Sequence, residues 1–189
     1  MSNQSSSFNR VPLTEEQIRA HTIGEPQPVA GKIPIVDYRP EWPALFEREA
    51  GRIRSVLGGR ALRIEHTGST SVPGLAAKPI NDMLLVVADS ALESAGYRLR
   101  TREEDWFQHR VFKGPDSDVN LHVFSSGCPE IERILLFRDW LRSNAWDREL
   151  YRRTKLALAE QDWKYVQNYA DAKTAVIEEI LARARLAAE

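Results

Sequence analysis

The sequence predicts a mixed α/β (α+β) fold, a sheet followed by a C-terminal helical region. Short runs of alternating apolar and polar residues, punctuated by Gly, Pro and Asp, recur from about residue 61 to residue 124. After Pro129 the strand signal stops and apolar residues fall at helical spacing to the end. Ahead of both, "TIGEPQPVAGKIP" carries three prolines and two glycines and reads as an extended lead-in. Residues 1–32 are therefore read as a tail and lead-in with one short helix, and 33–189 as a single domain. Within it, 33–128 is the sheet part and 129–189 the helical part, arranged either as two lobes with a cleft between them or as one packed body.

Each element has its own signal. Residues 1–12, rich in Ser and Asn, read as a disordered tail. "LTEEQIRAH" opens with a capping box, Thr14 at the N-cap and Gln17 three residues on. "IPIVDY" reads as a first strand. Trp42, Leu45, Phe46, Ile53, Val56 and Leu57 fall on one helical face, and Gly58-Gly59 ends that helix. "ALRIEHT" and "PINDMLLVV" read as strands, the second central because its far end is continuously apolar. "SALESAGY" allows about two helical turns. "YRLRTR", "WFQHRVFK" and "DVNLHVF" read as three more strands, the last two joined by "GPDSD". Residues 130–143, 146–162 and 166–187 read as three helices.

The bulk properties exclude several function classes. Lys plus Arg is 26 and Asp plus Glu is 27, a net charge of −1, so neither nucleic acid nor an anionic membrane is an expected partner. The single cysteine, Cys128, rules out an internal disulfide framework, and no Cys/His spacing suits zinc. "MSNQSSSFNR" lacks an apolar core, so no signal peptide is expected. No apolar run approaches the roughly 20 residues that cross a bilayer. A cytoplasmic protein is expected, and its oligomeric state stays open.

The chemistry concentrates in "IEHTGSTSVPGLAAKPINDMLLVV", residues 64–87. Gly68, Ser69, Thr70 and Ser71 offer consecutive backbone N–H groups that can cradle an anion, and Lys78 adds a charge suited to phosphate. The same composition also suits an ordinary surface loop turning at Pro73-Gly74. Asp82 lies within a central strand, where an unpaired carboxylate is costly. It can hold Mg²⁺ against a nucleotide's phosphates, or cap backbone N–H groups at the strand mouth. Alternation puts Ile80, Asp82 and Leu84 on one face and Asn81, Met83 and Leu85 on the other. In "DVNLHVF", Asp118, Asn120 and His122 form the polar row, and His122 is a candidate general base, phosphate contact or metal ligand. Of Glu65 and His66, at most one faces a cleft. In "EDWFQHR", Arg110 is a candidate phosphate contact, with the bland alternative that the strand supplies core and rim. Lys155, Lys164, Tyr165, Tyr169 and Lys173 of the helical half are read as solvated or snorkelling side chains.

These residues resemble the signature of the GrpB-like family, usually grouped with the nucleotidyltransferase superfamily. The resemblance continues through "NLHVF", "FRDWLRSN", "LYRRTK" and "YADAK" and covers about residues 33–185. It implies a nucleotidyltransferase-like mixed sheet followed by helices, and Mg-dependent transfer from a nucleoside triphosphate to an unknown small-molecule or protein acceptor. Gly68-Ser69 match the pair that cradles the phosphates. Of two alternating metal-holding carboxylates, Asp82 matches the second, whereas Ile80 occupies the first place. Asp118, Asn120 or His122 would have to stand for a third. Relatives typically carry Ile-Ile-Asp where this chain has Ile80-Asn81-Asp82, and the segment after "LLVV" is shortened. Family members also occur as an extension of a coenzyme A biosynthetic kinase. A catalytically silent module that binds a ligand or stabilises a partner is therefore the alternative implied.

Overall fold

The alternation read between residues 61 and 124 becomes one five-stranded sheet. A computed structural model describes residues 11–88, 97–104, 106–115 and 118–188. The helices α1 (Glu15–His21) and α2 (Trp42–Leu57) precede strands β1 (Arg63–Thr67), β2 (Asn81–Val87), β3 (Arg98–Glu103), β4 (His109–Lys113) and β5 (Val119–Ser125). Then come α3 (Pro129–Ser143), α4 (Ala145–Ala159), α5 (Val166–Asp171) and α6 (Thr174–Leu186). The strand order is β1-β2-β5-β4-β3. Only β2 and β5 run parallel; the other neighbours are antiparallel, so the sheet is mixed.

The apolar faces explain the layers. Met83, Leu85, Leu121, Val123 and Phe112 pack against Ala50, Ile53 and Leu57 of α2. Leu84, Val86 and Phe124 face the other way, against Cys128, Ile131 and Leu135 at the start of α3. Being covered on both sides is what makes β2 a continuous apolar run, and each such side chain contributes roughly 1.5–3 kcal/mol by leaving water. A third cluster joins Val72 and Leu75 to Leu141, Tyr151, Val176 and Ile180, so α3, α4 and α6 close over the loop that precedes β2.

Four expectations are corrected. "IPIVDY" forms a single bridge, Val36 to Ala77, rather than a strand. Pro34 has no N–H to give, and Ala77 belongs to a loop that offers no longer edge. Trp106, Phe107 and Gln108 turn instead of continuing β4, with Phe107 and Gln108 at φ 53 and 52. Left-handed backbone cannot extend a ladder. The helix read over 146–162 stops at Ala159. The helix read over 166–187 is two, broken at Ala172 and Lys173 with no Gly or Pro to mark it. The capping box at Thr14 is present, both of its bonds made. The helix read in "SALESAGY" lies almost entirely outside the described residues, as does the centre of "GPDSD" and most of the N-terminal tail.

Candidate functional site

Asp82 stands near the start of β2 on the face turned toward α3, in one row with Thr67 of β1, Asn120 of β5 and Lys113 of β4. The turn after β1 fits tightly around it. Gly68 has φ +65, and a Cβ built there would lie 2.4 Å from Asp82 Oδ2. Only glycine supplies both that backbone and that closeness. The Thr67 hydroxyl donates to the Asp82 carbonyl at 3.1 Å, tying the turn to the strand. Asn120 Nδ2 donates to Asp82 Oδ1 at 2.8 Å, and His122 Nε2 lies 3.7 Å from the same oxygen. Burial alone would raise the Asp82 carboxyl; His122 in its protonated form, Asn120 and Lys78 outweigh it and hold it down at about 2. Asp82 is therefore an anion at neutral pH, with about a third of its side chain exposed.

Beside Asp82 the helical half delivers lysines. A hollow of about 50 Å³ is lined by Ser69, Thr70, Lys78, Asp82, Lys155 and Lys173, with Tyr169 among its walls. Lys155 comes from α4 and is only 2% exposed. Its Nζ donates to Ser69 Oγ at 2.9 Å and to the Ala76 carbonyl, and sits 4.9 Å from the centre of the Tyr151 ring. Lys173 occupies the break between α5 and α6 and lies 4.6 Å above Tyr169. Burial pushes Lys155 down to about 7, helped by the like charges of Lys173 and Arg152. Burial and then Lys78 push Lys173 down to about 8, against the pull of Asp82 and Asp171. Lys78 is also lowered by burial, which Asp82 opposes. Crowded ammonium groups that shed protons near neutrality gain most from an incoming anion.

On the α3 side, Asp82 and Ser69 also line a second cavity of about 220 Å³, which reaches His122. Behind His122 runs a buried polar chain. Glu103 Oε2 lies 2.6 Å from His109 Nδ1, and His109 Nε2 lies 3.0 Å from His122 Nδ1. A carboxylate only accepts, so His109 Nδ1 carries hydrogen; when the His109 ring is neutral its Nε2 is bare and accepts from His122 Nδ1–H. His122 Nε2 is left with its lone pair toward Asp82 and the cavity. The rings of His109 and His122 stack at 5.2 Å, and His109 stacks on Phe124 at 4.5 Å, which fixes the chain's geometry. His21 Nδ1 approaches Glu103 Oε1 at 3.6 Å from the far side.

Gly68, Ser69, Thr70, Lys78, Asp82 and His122 are thus brought together around Asp82. Two predicted members are not. Ser71 turns away: its hydroxyl donates to the Gly68 carbonyl at 2.7 Å, and its own carbonyl accepts from Arg142. Its amide and that of Val72 are used inside the turn, so the cradle offers an anion its earlier amides, those of Ser69 and Thr70. Arg110 alternates with Val111 and therefore shares the α2 face with Phe112, opposite Asp82. Glu65 is held by Arg138 at 2.7 Å, and His66 stacks on Phe46 of α2. Asn81 is fully buried, and its Nδ2 donates to the Trp42 carbonyl at 2.8 Å. It joins the start of α2 to the mouth of β2.

Mg²⁺ takes near-octahedral oxygen ligands. Here one carboxylate is accompanied by an amide and an imidazole, and Lys78 and Lys173 act on the same acid. Among the described residues no three His, Cys, Asp or Glu side chains are grouped to hold an ion. This donor set offers one carboxylate, so a Mg²⁺ held here would take most of its ligands from phosphate oxygens and water. Lys155 and Lys173 escaped the sequence reading because a lysine on a helix ordinarily snorkels to water, and only packing against the turn shows otherwise. His109 was hidden in a strand read as core and rim, and Glu103 lay between the strands read there.

A family model described as GrpB protein matches residues 32–183. The chain is 58% identical over 186 residues to a UPF0157 protein of Halalkalibacterium halodurans, covering 94% of this chain and 95% of that one. It is 30% identical over 159 residues to a dephospho-CoA kinase of Mycolicibacterium paratuberculosis, covering 66% of this chain and 39% of the kinase. Among solved structures, the conserved protein GrpB from Enterococcus faecalis aligns with a TM-score of 0.69 at 33% identity, over 80% of this chain and 96% of that one. Among the described residues no helix is long and apolar enough to cross a membrane.

Proposed function

The chain belongs to the GrpB protein family, and on that premise we propose that it is a nucleotide-dependent transferase whose lysine hollow anchors the phosphate end of a nucleoside triphosphate. The observation that carries this reading is the convergence of Lys78, Lys155 and Lys173 on Ser69 and Asp82. A hollow of about 50 Å³ suits one phosphoryl group, the terminal one, while the turn at Ser69 and Thr70 meets the phosphates nearer the nucleoside. An acceptor hydroxyl on the other side of Asp82 gives its proton to His122 Nε2. Its oxygen bonds to the α-phosphorus, and the bond from that phosphorus to the pyrophosphate oxygen breaks. The departing pyrophosphate is met by the three ammonium groups, and Asp82 stabilises the imidazolium formed at His122. The lysines thereby neutralise charge that the thin donor set cannot assign to a resident metal.

Isothermal titration with each of the four nucleoside triphosphates tests this. Binding of at least one is expected. Lys155→Met, which keeps the buried stem, should weaken it about 10- to 100-fold, the worth of a charge-assisted hydrogen bond of roughly 1.5–3 kcal/mol. No binding of any triphosphate to folded protein overturns the reading.

A second reading has its own support. A lone carboxylate where the superfamily pattern has several, and a matching segment within dephospho-CoA kinases, favour a silent nucleotide-binding module. Pyrophosphate release that Asp82→Asn abolishes excludes the module; binding without release, whatever acceptor is offered, favours it.

A further inference from the structure

We propose that the cavity beneath α3 is an acceptor pocket for a compact, uncharged molecule with a ring-sized apolar body and one hydroxyl or neutral amine. The proposal rests on the transferase reading for the pocket's role and on the cavity's own walls for the chemistry of its occupant.

Size comes first. A dry cavity of about 150 Å³ holds benzene, and this one is about 220 Å³. That accommodates a six-membered ring with a short substituent, and no nucleoside. Its body is apolar: Ile134, Phe137 and Leu141 of α3, Val72 after the turn, and Ile177 of α6.

Charge comes second. Two guanidinium groups lie in the wall, and the charge of each is paired, although Arg133 Nε keeps a buried N–H without a hydrogen-bond partner. Arg133 pairs with Glu130 at 2.9 Å and with Glu178; Arg138 pairs with Glu65 at 2.7 Å and Asp139 at 2.8 Å. An acceptor bearing a carboxylate or phosphate would meet paired cations and an ionised Asp82, and burying such a charge is strongly opposed.

The floor decides the reacting group. Asp82 accepts only, and when His109 is neutral the Glu103–His109 chain leaves His122 Nε2 an acceptor as well. Two acceptors at the floor of a cavity whose body is mainly apolar call for a ligand that donates there. A hydroxyl or amine does so; an ether, ketone or bare hydrocarbon does not. Ser69 and Asp82 are shared with the lysine hollow, so a group held at this floor is adjacent to the phosphate side.

The test uses the whole chain and two probes, benzyl alcohol and benzoate, followed by methyl NMR. Benzyl alcohol should shift the methyl signals of Val72, Ile134, Leu141 and Ile177 together with the His122 ring, while benzoate leaves them in place. Ile134→Trp and Ile177→Trp, each at a half-buried position, should fill the cavity and weaken benzyl alcohol by about tenfold or more while ATP titrates as in wild type. Either variant alone suffices if the other fails to fold. Benzyl alcohol without effect on these methyls, benzoate binding as well as the alcohol, or undiminished binding in a folded tryptophan variant overturns the pocket. ATP failing to bind while benzyl alcohol still does overturns the transferase reading, and with it the acceptor role, but not the pocket's chemistry.

Discussion

At the scale of single residues, one close contact shapes the site and one buried ring shapes the stability. Gly68 is required twice over, by its positive φ and by the Asp82 carboxylate packed where a side chain would go. Gly68→Ala should cost about 2 kcal/mol for the backbone alone, lowering Tm by roughly 4–8 °C in a chain of this size. It should also displace Asp82 and weaken triphosphate binding. Calorimetry and titration of the same sample check both, and an unchanged Tm contradicts the contact. His66 sets the acid limit of stability. Burial, with Arg142 and Arg138 nearby and Asp82 opposing them, pushes it from 6.5 to about 4. Between those values the unfolded chain binds a proton that the folded one refuses, so stability falls as pH drops through the window and levels off near its lower end. The loss is on the order of 3 kcal/mol. Urea unfolding at several pH values should show it in wild type and a flatter profile in His66→Gln; equal profiles would contradict the assignment.

At the scale of elements, β3, β4 and β5 carry the proton chemistry and the helices carry the charge. The chain from Glu103 through His109 fixes which nitrogen of His122 is bare. Long-range ¹H–¹⁵N NMR should find His122 protonated at Nδ1 with Nε2 bare, and Glu103→Gln should release it into a mixture of tautomers. Finding Nε2–H on neutral wild-type His122 would contradict the chain. What the sequence disclosed at this scale follows from local signals. Local apolar patterns located the five described strands, and alternation correctly set Asp82 apart from Asn81 and His122 apart from Leu121. Arg110 was misplaced because its partner face depends on a register that only Val111 opposite His122 fixes. The left-handed turn at Phe107 and Gln108 and the break at Lys173 carry no Gly or Pro, so nothing local announced them.

At the scale of the whole molecule, the sheet supplies an acid and a base, and the helical half supplies cations and an apolar roof. The first was legible because "GSTS", Lys78 and Asp82 lie within one short stretch. The second was not, since Lys155 lies far along the chain from Ser69 and meets it only when α4 closes on the turn. That meeting makes the central claim measurable. Lys155 and Lys173, at about 7 and about 8 in the free protein, should become fully charged against bound phosphate. The decisive experiment is titration of ATP at pH 8 with EDTA, in two buffers of different ionisation enthalpy. The account predicts binding without Mg²⁺, uptake of roughly one proton or more, and affinity that falls as pH rises further. Binding that appears only when Mg²⁺ is restored, or that takes up no proton, would contradict it.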